Sequence, residues 1–313
     1  FGPRFDGDVF EDKIGGECIS YHPEGNIIYI GGYPENDNQK TNLFVSSDGG
    51  ANFYRSQIFE NESEVGERIL CLAFIKHGDF ERLWIGTDKN IYIGESINGN
   101  GFPGTVTKQT SIYVQKYFTR ILPHTDGSAY VAYTREVNDP NSNGGLLKYS
   151  KNSSGQWLWD DLTDEFDGLA SPSPGSGNYM SLLSWIDLDV NKIIAGRVNN
   201  IVKKSLNGGT NWIGEGGYDP DQIYFRYKQV PNHYPNHQLL EEYDNYFYSG
   251  TNFLVRNPNH NYCWYMSGGA GLRMTTNAGT NFTGDIFDEI PWEYKTVGQS
   301  MPVVFDISFE PNN

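Results

Sequence analysis

An eight-residue phrase recurs along the chain and fixes what it can fold into. "SSDGGANF" (46–53), "SLNGGTNW" (205–212) and "TTNAGTNF" (275–282) follow one rule. A small hydroxyl residue comes first, Asp or Asn third, Gly fifth, Asn seventh and an aromatic eighth. A fourth copy, "SKNSSGQW" (150–157), keeps the hydroxyl, the Asn and the aromatic but has no glycine at the fifth place. Each copy lies between short apolar runs with strand character, such as "NIIYIGG" (26–32), "SAYVAYT" (128–134), "KIIAGRV" (192–198) and "NYCWYMSGG" (261–269). A further unit, "ILCLAFI", "ERLWIGT", "NIYIGES" between Ile69 and Ser96, lacks the phrase.

Each unit reads strand, turn, strand, tight hairpin, strand, over roughly 40 to 50 residues. Antiparallel four-stranded units at that period describe the blades of a β-propeller. Five units begin near Gly16, Ile69, Phe118, Met180 and Leu239, and a sixth first strand, "MPVVFDISF", starts near Met301. No helical period appears. The expected fold is an all-β propeller of four-stranded antiparallel blades, a single domain over residues 1–313, whole or partial.

The phrase itself is turn chemistry. Gly50, Gly209 and Gly279 supply the positive φ that a hairpin reversal needs. The side chains of Asp48, Asn207 and Asn277 can accept hydrogen bonds from loop N–H groups, and Ser46, Ser205 and Thr275 are the small hydroxyl residues that open the phrase. Phe53, Trp212 and Phe282 are placed to pack between blades. This marker, the Asp box, occurs in several propeller families.

Composition sets the partner classes. Aromatics make up 15% of the 313 residues and charged residues 20%, so the chain is a folded, turn-rich protein with material for a large core. The formal charge of −16 argues against a nucleic-acid partner, which requires a basic surface. A neutral polysaccharide or glycan is compatible with an acidic surface. No apolar run is long enough to span a membrane. Cys18, Cys71 and Cys263 match no zinc spacing, and one disulfide with one thiol, or three buried thiols, both remain open. Sequons at Asn61, Asn152 and Asn281 are glycosylation candidates if the chain is secreted.

Ordered segments resemble glycoside hydrolase family 74, the xyloglucan-degrading propellers. "GGECISYHPEGNIIYIGG" (15–32) is similar to that family's G-E-R-L-A-I-D-P stretch, with Cys18 where the family has Arg. "LPHTDGSAYVAYTREVNDPNSNGGLLKYSKNSSGQWLWDDLT" (122–163) looks like its long unit. "VGQSMPVVFDISFEP" (297–311) is similar to its "GIEETAVLDLISPP" stretch, with Gln299, Ser300 and Met301 in place of acidic residues. The resemblance implies seven blades, secretion, further segments or subunits completing the propeller, and hydrolysis of β-1,4-glucans by an aspartate acid and an aspartate base. Both aspartate segments fall outside these residues on that layout, so no catalytic residue is carried over. The alternative is a non-catalytic structural or interaction propeller in a larger extracellular assembly.

Several residues are candidates for ligand contact. Asp6 and Asp8, in "RFDGDVFEDK", resemble by position a cleft-lining loop of the family, and Glu17 follows on the same side of the chain. Tyr133 and Tyr224 lead the aromatics that could stack on sugar rings, with Trp157, Trp159, Trp185, Tyr243 and Trp264 behind them. The cluster "DDLTDEFD" (160–167) and the one around Asp6 each hold enough carboxylates for Ca²⁺, which is the one cofactor considered. His233 and His237 are four apart, but Pro231 and Pro235 argue against the helix a zinc pair would need. Cys18 and His22 form a nominal nucleophile and base.

Overall fold

The computed structural model describes residues 4–5, 16–22, 25–32, 42–56, 67–110, 115–136, 144–167, 180–185, 189–197, 202–212, 253–256, 264–268, 271–275 and 293–294. They form two compact units, Phe1–Asp161 with Pro311–Asn313, and Leu162–Glu310. The chain is an all-β propeller built of antiparallel sheets.

The first unit holds three sheets. The first comprises β1 (Arg4–Phe5), β2 (Gly16–Tyr21), β3 (Ile28–Gly32), β4 (Asn42–Ser46) and β5 (Asn52–Arg55), in the order β1-β5-β4-β3-β2. The second comprises β6 (Ile69–His77), β7 (Phe80–Thr87), β8 (Ile91–Ile97) and β9 (Pro103–Lys108). The third comprises β10 (Lys116–Pro123), β11 (Ala129–Glu136), β12 (Gly145–Lys151) and β13 (Trp157–Asp161). The second unit opens with the short helix α1 (Thr163–Asp167). Its three-stranded sheet is β14 (Met180–Trp185), β15 (Ile193–Arg197) and β16 (Val202–Ser205). Its four-stranded sheet is β17 (Phe253–Arg256), β18 (Trp264–Gly268), β19 (Gly271–Thr275) and β20 (Glu293–Tyr294).

Two features differ from the sequence reading. The first sheet gains β1, which lies parallel to β5 with Arg4 opposite Asn52. The third sheet begins at Lys116, close to the expected Phe118, and the start expected near Leu239 lies outside the described residues. Helix α1 is one turn long, too short to show a period. Asp164 and Glu165 lie in that turn, where the helix dipole favours negative charge. The strand expected from Met301 lies outside the described residues.

Apolar runs in the middle strands are explained by packing on both faces. Six successive residues of β7, Arg82 to Thr87, are buried, whereas the outer strand β9 alternates with exposed positions. Tyr29, Leu43, Ile69, Leu83, Ile85 and Tyr92 fill one layer of core between the first two sheets. Trp84, Ile91, Phe118, Val131 and Tyr149 fill the next layer.

The first strands of the sheets also meet directly. Cys71 Sγ donates to the Phe118 carbonyl at 3.4 Å, and Cys18 Sγ to the Ile69 carbonyl at 3.8 Å. Burial pushes the Cys71 thiol up to about 12, so this sulfur is an inert packing group. A Cβ on Gly86, opposite Cys71 in the same sheet, would lie 2.5 Å from that sulfur and 3.1 Å from the Phe118 Cβ of the third sheet, so glycine there leaves room for both. A register shift precedes both Cys18 and Cys71, and Arg120 follows the corresponding shift in β10. Cys18, Cys71 and Arg120 thus occupy corresponding places in the first strands of the three sheets.

Candidate functional site

The repeated phrase closes hairpins by a shared hydrogen-bond set. Asp48 Oδ1 accepts from Ser46 Oγ at 2.8 Å and from the Asn52 N–H at 2.9 Å, while its Oδ2 accepts from Asn52 Nδ2 at 2.6 Å. Ser46 Oγ accepts from the Gly50 N–H at 2.9 Å. Ser205, Asn207, Gly209 and Asn211 repeat the pattern in the fourth sheet. Gly50 and Gly209 have φ of 92° and 90°, the left-handed region. Phe53 is buried and Trp212 half-buried. In the third sheet Asn152 Oδ1 accepts from the N–H groups of Ser154 and Gln156, and the positive φ moves one place on, to Gly155.

The second sheet carries a turn of the same kind that the eight-residue rule misses. In "SINGNGF" (96–102), Asn98 Oδ1 accepts from the N–H groups of Asn100 and Phe102. Ile97 pairs with Pro103 as Lys151 pairs with Trp157, so the turn matches that of the third sheet in length, but Phe102 puts the aromatic at the seventh place and Pro103 stands at the eighth.

The bonds from Asn52 and Ser46 hold the Asp48 carboxyl down to about 2. Asp48 is a carboxylate whose folded pKa lies below its unfolded one, near 3.9. Its contribution to stability is therefore present above pH ~4 and lost as pH falls through about 2. Asp48→Asn should keep most of the turn and remove this acid dependence, and Asp48→Ala should lose the turn at all pH values. Acid unfolding curves of the three proteins check this.

These turns bring polar groups together at one end of the first two sheets. The β2–β3, β4–β5, β6–β7 and β8–β9 connections surround a cavity of about 330 Å³. His22, Asn26 and Ile27 come from the first connection, Ser47 from the second, Lys76 and Glu81 flank the third, and Ile97, Asn98 and Gly99 come from the fourth. Lys76 Nζ lies 2.9 Å from Glu81 Oε1, and both side chains are about a quarter exposed. His22 is buried, with Nε2 3.8 Å from the same oxygen and its ring 4.6 Å from that of Phe74. Phe74 in turn stacks on Tyr29. The Tyr29 hydroxyl is buried without a hydrogen-bond partner, and burial together with the Glu81 charge raises its pKa.

The next junction fills the matching place. Counting back from Gly31 and Gly86, which occupy equivalent register positions, Ile27 corresponds to Arg82; counting from their partners Leu43 and Ile91, Ser47 corresponds to Glu95. Arg82 Nη2 donates to Glu95 Oε1 at 2.6 Å and Nη1 to the Gly127 carbonyl at 2.9 Å, reaching the third sheet. Its guanidinium lies over the rings of Phe80, Trp84, Tyr149 and Trp157, at 4.9 to 5.9 Å. Between the first and second sheets, Ile27 and Ser47 supply no such plug.

Lys76, Glu81 and Asn98 were not singled out in the sequence, because Lys76 and Glu81 flank one hairpin, Asn98 comes from another, and none forms a motif along the chain. Tyr133 was singled out, and its placement corrects that reading. It is only 4% exposed, packed in the core with Lys116 Nζ 4.1 Å from its ring centre, so it offers no open face to a sugar. Trp157 stacks on Tyr149, and Trp159 sits edge-on to Trp84 with its indole nitrogen 3.4 Å from Gln109 Oε1. Cys18 and His22 turn to different partners and form no nucleophile–base pair. Asp160, Asp161, Asp164 and Glu165 are exposed, and among the described residues no three His, Cys, Asp or Glu gather as cation ligands. Glu17 and Thr275 are placed by their backbones only, in β2 and at the end of β19. Asp6, Asp8, Asn61, Tyr224, His233, His237, Tyr243, Cys263, Asn277, Gly279, Asn281 and Phe282 lie outside the described residues. Asn152, the described sequon, has its side-chain oxygen tied into the turn. No described helix is long and apolar enough to cross a membrane.

No protein-family model matches the chain, and no curated protein sequence does. Solved structures do. The xyloglucanase of glycoside hydrolase family 74 from Xanthomonas campestris matches with a TM-score of 0.56 and 14% identity, over 86% of this chain and 37% of that one. The Cps50 (Swd1) β-propeller domain of Myceliophteria thermophila matches with a TM-score of 0.51 and 8% identity, over 89% of this chain and 71% of that one. At these identities the likeness is one of fold. The chain spans little more than a third of the length of the xyloglucanase it matches.

Proposed function

We propose that the chain is a secreted, carbohydrate-directed propeller whose first blades bind a neutral glycan. The observation that carries this reading is the walled cavity at the end of the first two sheets, lined by amide, hydroxyl, ammonium and carboxylate groups with Ile27 and Ile97 beside them. Sugar hydroxyls both donate and accept, and ring C–H faces are apolar, so this mixture suits them. The Lys76–Glu81 pair leaves the site without a net charge that would demand an ionic ligand. The segments that resemble xyloglucan-degrading propellers, with the fold likeness, favour a xyloglucan-type β-glucan.

Binding is favoured over cleavage in this cavity. Glycoside hydrolysis with inversion uses two carboxyl groups roughly 6.5–9.5 Å apart. Glu81 faces an ammonium and an imidazole there, and it is the one carboxylate among the described lining residues. Affinity electrophoresis in gels containing xyloglucan, with a reducing-end assay on the same protein, tests the reading. The expected result is retarded migration with no reducing ends released. Unretarded migration in xyloglucan, mixed-linkage glucan and galactomannan gels overturns it, and release of reducing ends overturns the assignment of binding alone.

A further inference from the structure

We propose that the cavity between the first two sheets takes the terminal residue of a glycan end-on, with Lys76 and Glu81 contacting adjacent ring hydroxyls. This rests on the carbohydrate reading above and deepens it. The first ground is shape. Described residues at four hairpin connections of two sheets converge on this cavity, so its lining is short in every direction. Its volume, about 330 Å³, is at the small end of ligand sites, room for one or two sugar residues rather than a stretch of polymer.

The second ground is the repeat itself. The two junctions within the first unit are filled differently at the turn end. Between the second and third sheets, Arg82 and Glu95 close the space with a guanidinium, a carboxylate and four aromatic rings. Between the first and second sheets the same two positions are Ile27 and Ser47, both too short to close it, and both line the cavity. What remains is a hole with polar groups already fixed around it. Lys76 and Glu81 hold each other in place, so the ammonium can donate to one hydroxyl and the carboxylate accept from its neighbour without reorganisation. Asn98 Oδ1 is occupied by the two turn N–H groups, which fixes its side chain and leaves the NH₂ to donate.

The third ground is what the cavity lacks. Phe74 has His22 against it on one contact and Tyr29 on another, and the described lining residues include no Phe, Tyr or Trp. Recognition of an internal run of glucose units uses flat aromatic platforms, whereas a single terminal ring can be held by hydrogen bonds around its edge.

The experiment uses three proteins: the wild type, Lys76→Met, and the double variant Ile27→Arg, Ser47→Glu, which rebuilds in this junction the plug that Arg82 and Glu95 form in the next. Titration calorimetry with methyl β-glucoside, methyl β-galactoside, methyl α-xyloside and the cello-oligosaccharides from two to six residues gives the affinities. The expected result is that at least one methyl glycoside binds. Affinity should rise less than threefold beyond two residues, Lys76→Met should weaken binding at least tenfold, and the plugged variant should not bind. Affinity that climbs with every added residue, or unchanged binding by Lys76→Met, overturns the end-on site while leaving the carbohydrate reading intact. Absence of heat with every glycan, in the wild type, overturns the carbohydrate reading itself. Lys76 is partly exposed, so its variant reports even if the plugged one fails to fold.

Discussion

Arg82→Ala should lower the unfolding free energy by about 3 kcal/mol, the lower end of what breaking a buried ion pair costs. Arg82 is 5% exposed, and its guanidinium does three things at once. It satisfies the Glu95 carboxylate, donates to the Gly127 carbonyl of the third sheet, and lies among four aromatic rings. Truncation strips the Gly127 carbonyl of its buried donor and leaves a void beside Trp84 and Trp157. Glu95 is half exposed and can turn to water, which keeps the cost away from the upper end. Arg82→Lys should recover less than half of the loss, because an ammonium cannot serve Glu95 and Gly127 with a planar fork. Urea unfolding followed by tryptophan fluorescence measures both variants. A loss below 1 kcal/mol for Arg82→Ala, about the value of a surface ion pair, would show that the guanidinium does not join the two sheets.

Glu67→Ala should cost a similar amount, about 3 kcal/mol, by a different route. Glu67 is 1% exposed, at the entry to β6, and its oxygens accept from Thr87 Oγ1, Asn90 Nδ2 and, at 3.1 Å, Tyr92 Oη. Beside it the Arg68 N–H donates to Asp88 Oδ1, and the Asp88 N–H to the Arg68 carbonyl. The segment leading into the second sheet is thereby fastened to the β7–β8 turn. Removing the carboxylate takes this acceptor from three buried donors, a loss worth about 1–3 kcal/mol for each donor that finds no replacement, and Thr87 Oγ1 still has the Asn90 carbonyl at 3.1 Å. Tyr92→Phe removes one of the three and should cost about 1 kcal/mol. Equal effects for the two variants would mean that the Tyr92 hydroxyl alone carries the network.

The fold was legible in the sequence because propeller blades repeat, and the repeat is written in turn residues. Asp48, Asn207 and Asn152 each mark a hairpin by bonds that only a short side-chain oxygen at that place can make. Asn98 does the same work, but its aromatic, Phe102, stands one place early in the phrase, so a rule of fixed places passes over it. Strand β1 was not legible, because a two-residue parallel pairing has no pattern of its own. The site was less legible still. Lys76 and Glu81 read as ordinary surface charges near the "HGDF" hairpin until the first sheet's turns are set against them. Tyr133 failed as a candidate for the opposite reason: aromatic residues that could stack on a sugar look the same in sequence as those that fill a core, and burial separates them. The significance of Ile27 and Ser47 appears only on comparison with Arg82 and Glu95 one repeat later.

The most direct test of the central claim is a titration of the purified chain with xyloglucan heptasaccharide by calorimetry, with the same titration of a glycan-free polyol such as glycerol as the blank. Saturable heat with one heptasaccharide per chain, reduced at least tenfold by Lys76→Met, is the result predicted for a carbohydrate-directed propeller that binds at its first blade junction. Heat no greater than the glycerol blank across the accessible concentration range would contradict it.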